Sequence, residues 1–449
     1  MDALNINELK NAKDAVNNFL RKYKMYFEDI DIHKYVDLFL DEMQRGLAGE
    51  ESSLKMFPTF IQFRNKILVN KPVIVLDAGG TNFRSAVIMF NDKNEPVIQN
   101  LKQSYMPGSK SEVSKDEFFR IIVENIKDII DESDNIGFVF SYPIEIYPTR
   151  DGKLAYFTKE IKAMEVEGEF IGENLMAAIK KQGFKGSKKI VMLNDTVASL
   201  LSGISAFQNR NFESYVGFIL GTGSNVSYIE KNSNIKKKRI ANLDGDDYQI
   251  INIESGNFSK GPMGEIDLKF DSKTLNSGMG CYEKMFSGAY LGGLAAEVVR
   301  FALKDGLFSD VFSRNFNDSV VLESRDIDDF LFYPPQNPRL IDLIKGIENR
   351  DLVSLYHMFD NLVERAAIFT SIILASAIIK SDKGNNPCDP ICITAEGSSY
   401  YMMKNFQARV EYYMRNILTQ RGSYYYEINK VDNAILLGAA AAGLESQQI

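Results

Sequence analysis

VIVLDAGGTNFRSAVIMF, residues 73–90, is the stretch whose reading decides the fold. Its first half is a continuous apolar run, which predicts a strand buried on both faces. Asp77, Ala78, Gly79 and Gly80 interrupt the run, and Ser85 to Phe90 resume it, so the stretch reads as a strand, a tight turn and a returning strand. Two adjacent glycines leave the backbone without Cβ atoms, and its N–H groups can then close on an anion. Thr81, Asn82 and Arg84 add donors to the same turn, and Arg84 adds a permanent positive charge. Asp77, at the strand's end, is suited to hold Mg²⁺ through water, because that ion keeps most of its hydration shell. A lone Gly-Gly would indicate no more than a hairpin turn. An acid, two glycines, Thr, Asn and Arg together point to a phosphate loop.

The design recurs. VGFILGTGSNVSYIE, residues 216–230, is again an apolar strand, a glycine turn through Gly221, Thr222 and Gly223, and a returning strand that carries Asn225. Two such hairpins suggest a duplicated phosphate-gripping unit. A third turn, ITAEGSSYY, follows a strand at Ile391–Thr394 and opens a helix, with Gly397 and Ser398 at the junction. Gly397 would let a flat base or ribose approach the backbone. Between these stretches, apolar strands at 135–140 and 189–193 alternate with helical patterns at 115–130 and 197–203, which argues for an α/β fold. The strand ending at Leu193 runs into Asn194, Asp195 and Thr196. Asp195 there is either a carboxylate able to accept a hydroxyl proton or a helix N-cap.

Residues 1–48 read as helices, the second with Tyr35, Val36, Leu38, Phe39, Leu40 and Met43 on a buried face broken by Asp37, Asp41 and Glu42, and with Gly46 at its end. Lys236–Arg239 followed by Asp244, Asp246 and Asp247 reads as a solvated hairpin tip. The length of 449 residues suits two or three domains or two large lobes. A net charge of −8 argues against nucleic acid as partner, since phosphate contacts need a basic face. Three cysteines without a repeating spacing make no disulfide framework, and a reducing compartment fits. Cys388 and Cys392 are close in sequence, but with only His33 and His357 in the chain they read as inert buried thiols rather than zinc ligands. The polar start has no signal-peptide character. Ala366–Ile379 reads as a buried helix too short to span a bilayer, so no membrane span is expected and the cytoplasm is the expected location.

Taken together, these motifs resemble the eukaryotic-type hexokinase family from about Ser53 to the C-terminal helix. LDAGGTNFR resembles that family's first phosphate motif, VFSYP and YFTKEIKAMEVEGEFIG its sugar-binding segments, and LNDT its catalytic-base motif. GTGSN resembles the second phosphate motif, INIESG and CYEKMFSGAYLG further sugar contacts, and EGSSY the adenosine motif. The resemblance implies a two-lobed actin-like ATPase (ribonuclease H-like) fold with a central cleft. Residues 1–70 would join the large lobe, 71–194 with the C-terminal helix at 433–449 would form the small lobe, and 195–432 the large one. It implies ATP and Mg²⁺ as cofactors and transfer of a phosphoryl group to a hexose, with Asp195 as base. Ser141, Thr158, Lys159, Asn194, Asn225, Glu254 and Glu283 would hold the sugar. Asp77, Gly79, Gly80, Thr81, Asn82, Arg84, Gly221, Thr222 and Gly223 would handle phosphates, with Gly397 and Ser398 at the adenosine. Three positions depart from the pattern. Ser255 stands for an aromatic, Ser277 for a proline, and Gly280 for an amide three places before Glu283. A sugar sensor with little turnover would be expected to have lost its base or a phosphate loop, and neither is lost. A chaperone-type ATPase with a protein client would leave Thr158, Lys159, Glu254 and Glu283 unexplained.

Overall fold

The computed structural model describes residues 6–62, 67–157, 161–240, 243–334 and 340–445. Strand β1 (Phe57–Gln62) is followed by β2 (Val73–Gly79), β3 (Asn82–Phe90), β4 (Pro96–Tyr105) and β5 (Asn135–Phe140). A short ribbon of β6 (Ile144–Ile146) and β7 (Gly152–Leu154) leads to β8 (Lys189–Leu193). The second half holds β9 (Ser214–Leu220), β10 (Ser224–Lys231), β11 (Tyr248–Asn252), β12 (Ile391–Glu396) and β13 (Tyr426–Asn429).

Two sheets result, ordered β4-β3-β2-β5-β8 and β1-β11-β10-β9-β12-β13. In the first, β3 runs antiparallel and β5 parallel to β2. In the second, β10 runs antiparallel and β12 parallel to β9. Apart from the added edge strand β1, the second sheet repeats the order and polarity of the first, so the two glycine-turned hairpins occupy equivalent places. Both faces of β2 are covered. Ile74 and Leu76 join a core with Phe118 and Ile122 of the helix Lys115–Ile126, while Val73 and Val75 pack with Ala439 and Ala440 of the C-terminal helix Ala434–Glu445. This explains why the strand is apolar at every position rather than at alternate ones.

The helix Asp195–Ala206 follows the last strand of the first sheet, yet it packs on β9, β12 and β10 of the second. Conversely, the C-terminal helix follows the last strand of the second sheet and packs on β2 and β5 of the first. The two exchanged helices pack against each other between the sheets. Small residues permit this. A Cβ on Gly438 would lie 1.9 Å from the Ala198 carbonyl oxygen, and one on Gly137 would lie 1.9 Å from that of Ala439.

Several local expectations need correction. The second helix runs Ile32–Ala48, and its left-handed cap is Gly49 (φ 77°) rather than Gly46. Gly46 is buried inside the helix, where a Cβ would lie 2.5 Å from the Leu54 carbonyl oxygen. Glu42, read as part of a polar face, is 2% exposed. It accepts from the Ser53 N–H at 2.6 Å and pairs with Lys260 at 2.8 Å. Burial opposes its charge, but these bonds and those of the Ser52 and Ser53 hydroxyls bring its carboxyl down to about 2. The helix from Lys115 stops at Ile126, and that from the LNDT segment begins at Asp195. Ala366–Ile379 belongs to a helix of 33 residues, Asn349–Ser381, long and apolar enough to cross a bilayer by length and composition. It is a core helix here, with 89% of its most apolar window inside protein. Its Arg365 pairs with Asp267 at 2.7 Å with both side chains 1% exposed, a charge pair that would cost about 3–5 kcal/mol to break from one side. Of the cysteines, only Cys392 is buried, its thiol pushed up to about 12 by burial, and Cys388 is exposed. In the segment expected to be a solvated tip, Lys237 instead donates to the Lys55 and Met56 carbonyls at 2.6 and 2.9 Å.

Candidate active site

The first hairpin closes in two residues. Gly79 pairs with Asn82, and Gly80 takes the left-handed region (φ 76°) that a Cβ would strain. Asp77 and Arg84 are cross-strand partners. Arg84 donates from Nε at 2.8 Å and from Nη2 at 2.5 Å to one carboxylate oxygen of Asp77, which is 4% exposed. Tyr142 donates to the Gly80 carbonyl at 2.5 Å and so pins the turn from below. Gly79, Thr81 and Asn82 lie exposed at the rim, where backbone and side-chain donors meet solvent.

The second hairpin turns through Gly221–Gly223 between Leu220 and Ser224, which are register partners. Its carbonyls are tied down from one side. Gly288 N–H donates to Gly221 at 2.8 Å, Ala289 N–H to Thr222 at 3.0 Å, and the Ser399 hydroxyl to Gly221 at 3.1 Å. Gly397 (φ 108°) abuts this loop so closely that a Cβ would lie 2.2 Å from the Leu220 carbonyl oxygen. The third turn therefore leans directly on the second, with Ser398 exposed beside them.

Three carboxylates converge between the loops. Asp195 opens its helix, whose N-cap is Asn194, and the Asn194 side chain accepts from the Thr196 N–H at 2.9 Å. Capping therefore falls to Asn194. One Asp195 oxygen also accepts from that N–H, at 2.8 Å. Asn225 donates to Asn252 at 2.7 Å, Asn252 donates to Glu254 at 2.8 Å, and the Asn225 carbonyl oxygen accepts from Ser255 N–H at 3.2 Å. Glu254 sits in the left-handed region (φ 59°), unusual for a residue with a side chain. Burial above all, with the charges of Asp195 and Glu283 adding to it and the Asn252 bond opposing, pushes its carboxyl up to about 7. Glu283 accepts from Ser224 N–H at 3.1 Å. Burial raises its carboxyl as well, against the Ser224 bond and the nearby Lys284. Its carboxylate lies in a glycine-lined notch, where Cβ atoms on Gly223, Gly256 and Gly280 would come within 2.7, 2.9 and 3.0 Å of it.

Ser141 follows β5 and donates its N–H to Ala78 at 3.2 Å, next to Asp77. Thr158 and Lys159 lie outside the described residues. Gly280, which stands for an amide in the resemblance, is itself in the left-handed region (φ 59°), so its backbone as well as its missing side chain matters.

Several site residues escaped the sequence reading. Asn252 links Asn225 to Glu254 and carried no signal beyond its place in INIESG. Tyr156 and Tyr290 are raised by burial and then by the charge of Glu283 and, for Tyr156, Glu254. Glu396, at the end of β12, is pushed up to about 7 by burial, with Lys430, Asp432 and Arg84 in its field. Among the described residues, no three His, Cys, Asp or Glu side chains are close enough to share one metal ion, the carboxylate trio included.

Comparison with known proteins fits this geometry. Family models described as hexokinase match residues 15–205 and 215–444. The chain is 28% identical to hexokinase-5 of Oryza sativa subsp. japonica, over 92% of this chain and 87% of that one. It is 26% identical to hexokinase-1 of Schizosaccharomyces pombe, over 93% and 88%. Among solved structures, the glucose complex of a Schistosoma mansoni hexokinase superposes with a TM-score of 0.78 at 24% identity, covering 97% of this chain and 99% of that one. That likeness fixes the two-sheet actin-like architecture, and two hexokinase models together span nearly all of a chain that also carries both glycine-turned hairpins and the carboxylate trio. The chain belongs to the hexokinase family, enzymes that phosphorylate a hexose with ATP.

Proposed function

We propose that the substrate is glucose or a close relative, phosphorylated at its 6-hydroxyl as the opening step of glycolysis in the cytoplasm. The observation that carries this reading is the convergence of Asp195, Glu254 and Glu283. Glu254 is raised to about 7 by burial and by the other two charges, a perturbation typical of working sites. A polyhydroxyl ligand suits such a pocket, since each hydroxyl can donate to a carboxylate and accept from an amide such as Asn225. Glucose is the sugar in the Schistosoma mansoni complex, which supports it as the first candidate.

In this reading Asp195 takes the proton of the attacking hydroxyl, at the lip of a strand where the sugar reaches the phosphate loops. Glu254, Glu283, Asn194, Asn225 and Ser141, with Thr158 and Lys159, orient the sugar. Gly79–Asn82 and Gly221–Gly223 hold the triphosphate from opposite sheets, Arg84 adds charge, and Gly397 and Ser398 border the adenosine. Positioning and charge stabilisation supply most of the catalysis, because phosphoryl transfer passes through a loose transition state. Magnesium, which neutralises charge on the transferring phosphates, suits a site with a single buried carboxylate at the loop mouth, and Asp77 would hold it through water. The small lobe would comprise residues 71–194 with the C-terminal helix, and the large lobe the remainder.

A coupled assay with MgATP and a panel of hexoses tests the reading. Turnover with glucose, absent when the 6-hydroxyl is removed, is the expected result. Turnover of no hexose at saturating MgATP would refute it.

A further inference from the structure

Next to Glu283 lies a buried charge that the reaction does not use. Lys284 is 3% exposed. Its ammonium donates to Asp271 at 2.5 Å, to the Thr274 hydroxyl at 2.8 Å and to the Asn276 carbonyl at 2.6 Å. All three of its donors are thereby engaged. The second Asp271 oxygen accepts from the Gly278 N–H at 2.8 Å and the Ser277 hydroxyl at 3.1 Å. The segment from Asp271 to Lys284 is thus wound around one internal ion pair. At its far end it delivers Glu283 into the notch beneath Gly223 and Gly256. Tyr282 anchors the end of the segment, buried against Phe258, Phe286 and Phe369, whereas the stretch that carries Leu275 and Met279 is exposed and has no apolar core of its own to order it.

We propose that the Lys284–Asp271 pair is the positioning element of the hexose pocket, an internal clasp that shapes the loop and sets the Glu283 carboxylate for the sugar. The proposal rests on the reading of Glu283 as a sugar ligand. Burying a charge pair is costly unless every lone pair and proton is satisfied, and here the hydrogen bonds complete the set. A fold needing only stability could fill this place with apolar side chains. An ion pair whose partners are loop carbonyls, hydroxyls and N–H groups instead fixes one loop conformation. The ammonium also acts on Glu283 directly. Its charge helps to lower a carboxyl that burial raises. The other titratable groups around Glu283 are Glu254, Tyr156 and Tyr290, and Asp195 acts in turn on Glu254.

The test is steady-state kinetics on purified full-length Lys284→Met, Thr274→Val and Glu283→Gln, with thermal melts alongside. For Lys284→Met the expected result is a hexose KM at least roughly tenfold higher, with the ATP KM unchanged. The acid limb of kcat/KM for hexose should also move to higher pH by roughly half a unit or more, because a positive charge beside Glu283 is gone. Thr274→Val removes one acceptor and no charge, so it keeps the test open if Lys284→Met does not fold. A severalfold rise in hexose KM alone is expected there. A folded variant whose hexose KM and acid limb match the parent would overturn the clasp. So would hexose and ATP KM values rising in parallel. If Glu283→Gln itself leaves the hexose KM unchanged, the reading of Glu283 fails, and that outcome is distinct from failure of the clasp.

Discussion

At the scale of single residues, the strongest expectation concerns Asp195. Asp195→Asn keeps shape and the bond to Thr196 N–H but cannot take a proton, so kcat should fall at least roughly a hundredfold. Hexose binding, read by isothermal titration calorimetry because the chain has no tryptophan to report by fluorescence, should survive. A kcat within tenfold of the parent would remove Asp195 from the role of base. Glu254 supports a pH prediction with a definite sign. Its folded-state carboxyl is raised from 4.5 to about 7, so the folded protein binds more protons than the unfolded chain between those values. Stability of the sugar-free protein should therefore fall as pH rises through that window. Glu254→Gln should relieve the penalty, raising the unfolding free energy at pH 8 but scarcely at pH 5, by something on the order of 1–3 kcal/mol. An equal effect at both pH values would show that Glu254 is not the group responsible. Gly280 supports a kinetic prediction of its own. With φ 59° and a Cβ position 3.0 Å from a Glu283 oxygen, Gly280→Gln should strain the loop and raise, not lower, the hexose KM. The sequence made the acids, amides and glycines of the pocket legible because each sits in a recognisable string. It concealed Asn252 and the Lys284–Asp271 pair, whose partners are brought together only by the fold of a strand end and an irregular loop. It misjudged Glu42 because helical periodicity cannot tell a solvated carboxylate from one paired by Lys260 and two serines.

Among the elements, strands β5 and β8 keep the bounds read from the sequence, Asn135–Phe140 and Lys189–Leu193, because each apolar run follows one polar residue and Ser141 or Asn194 marks the stop. Helix ends were less legible. The sequence reading placed the cap at Gly46, three residues before the actual cap Gly49, and only the approach of the Leu54 carbonyl shows that Gly46 is needed for its missing side chain. The long core helix was underestimated for a related reason. Its polar first half, with Arg365 paired to Asp267, dilutes the apolar signal that Ala366–Ile379 announces. Contact between the two exchanged helices depends on backbone proximity, which yields a direct test. Gly438→Ala would place a methyl 1.9 Å from the Ala198 carbonyl, so the helices must part. Urea denaturation should show a loss of about 1–3 kcal/mol. An unchanged midpoint would mean that the helices can slide without cost.

For the whole molecule, the duplicated sheet order predicts a cleft between two halves, each with one glycine-turned hairpin. Sugar contacts proposed on both sides, with Ser141 beside the first sheet and Glu254 and Glu283 beside the second, are best satisfied when the halves approach. Small-angle scattering should then show a smaller radius of gyration with saturating glucose than without. An invariant scattering curve would count against closure. The α/β class was readable from strands alternating with helices, and the two-lobed fold from the hexokinase resemblance, with which the repeated glycine-turned hairpin agrees. The exchange of terminal helices was not, since nothing in GAAAAGL says which sheet it will cover. That exchange has a consequence for how the protein comes into being. The inner face of the first sheet, with Val73, Val75 and Val139, is sealed by residues near the end of the chain. During synthesis the first half therefore leaves the ribosome with a greasy flank exposed, and it must wait for more than two hundred further residues before the lid arrives. Nascent chains halted before Ala434 should cling to chaperones or precipitate, whereas the finished chain can release itself.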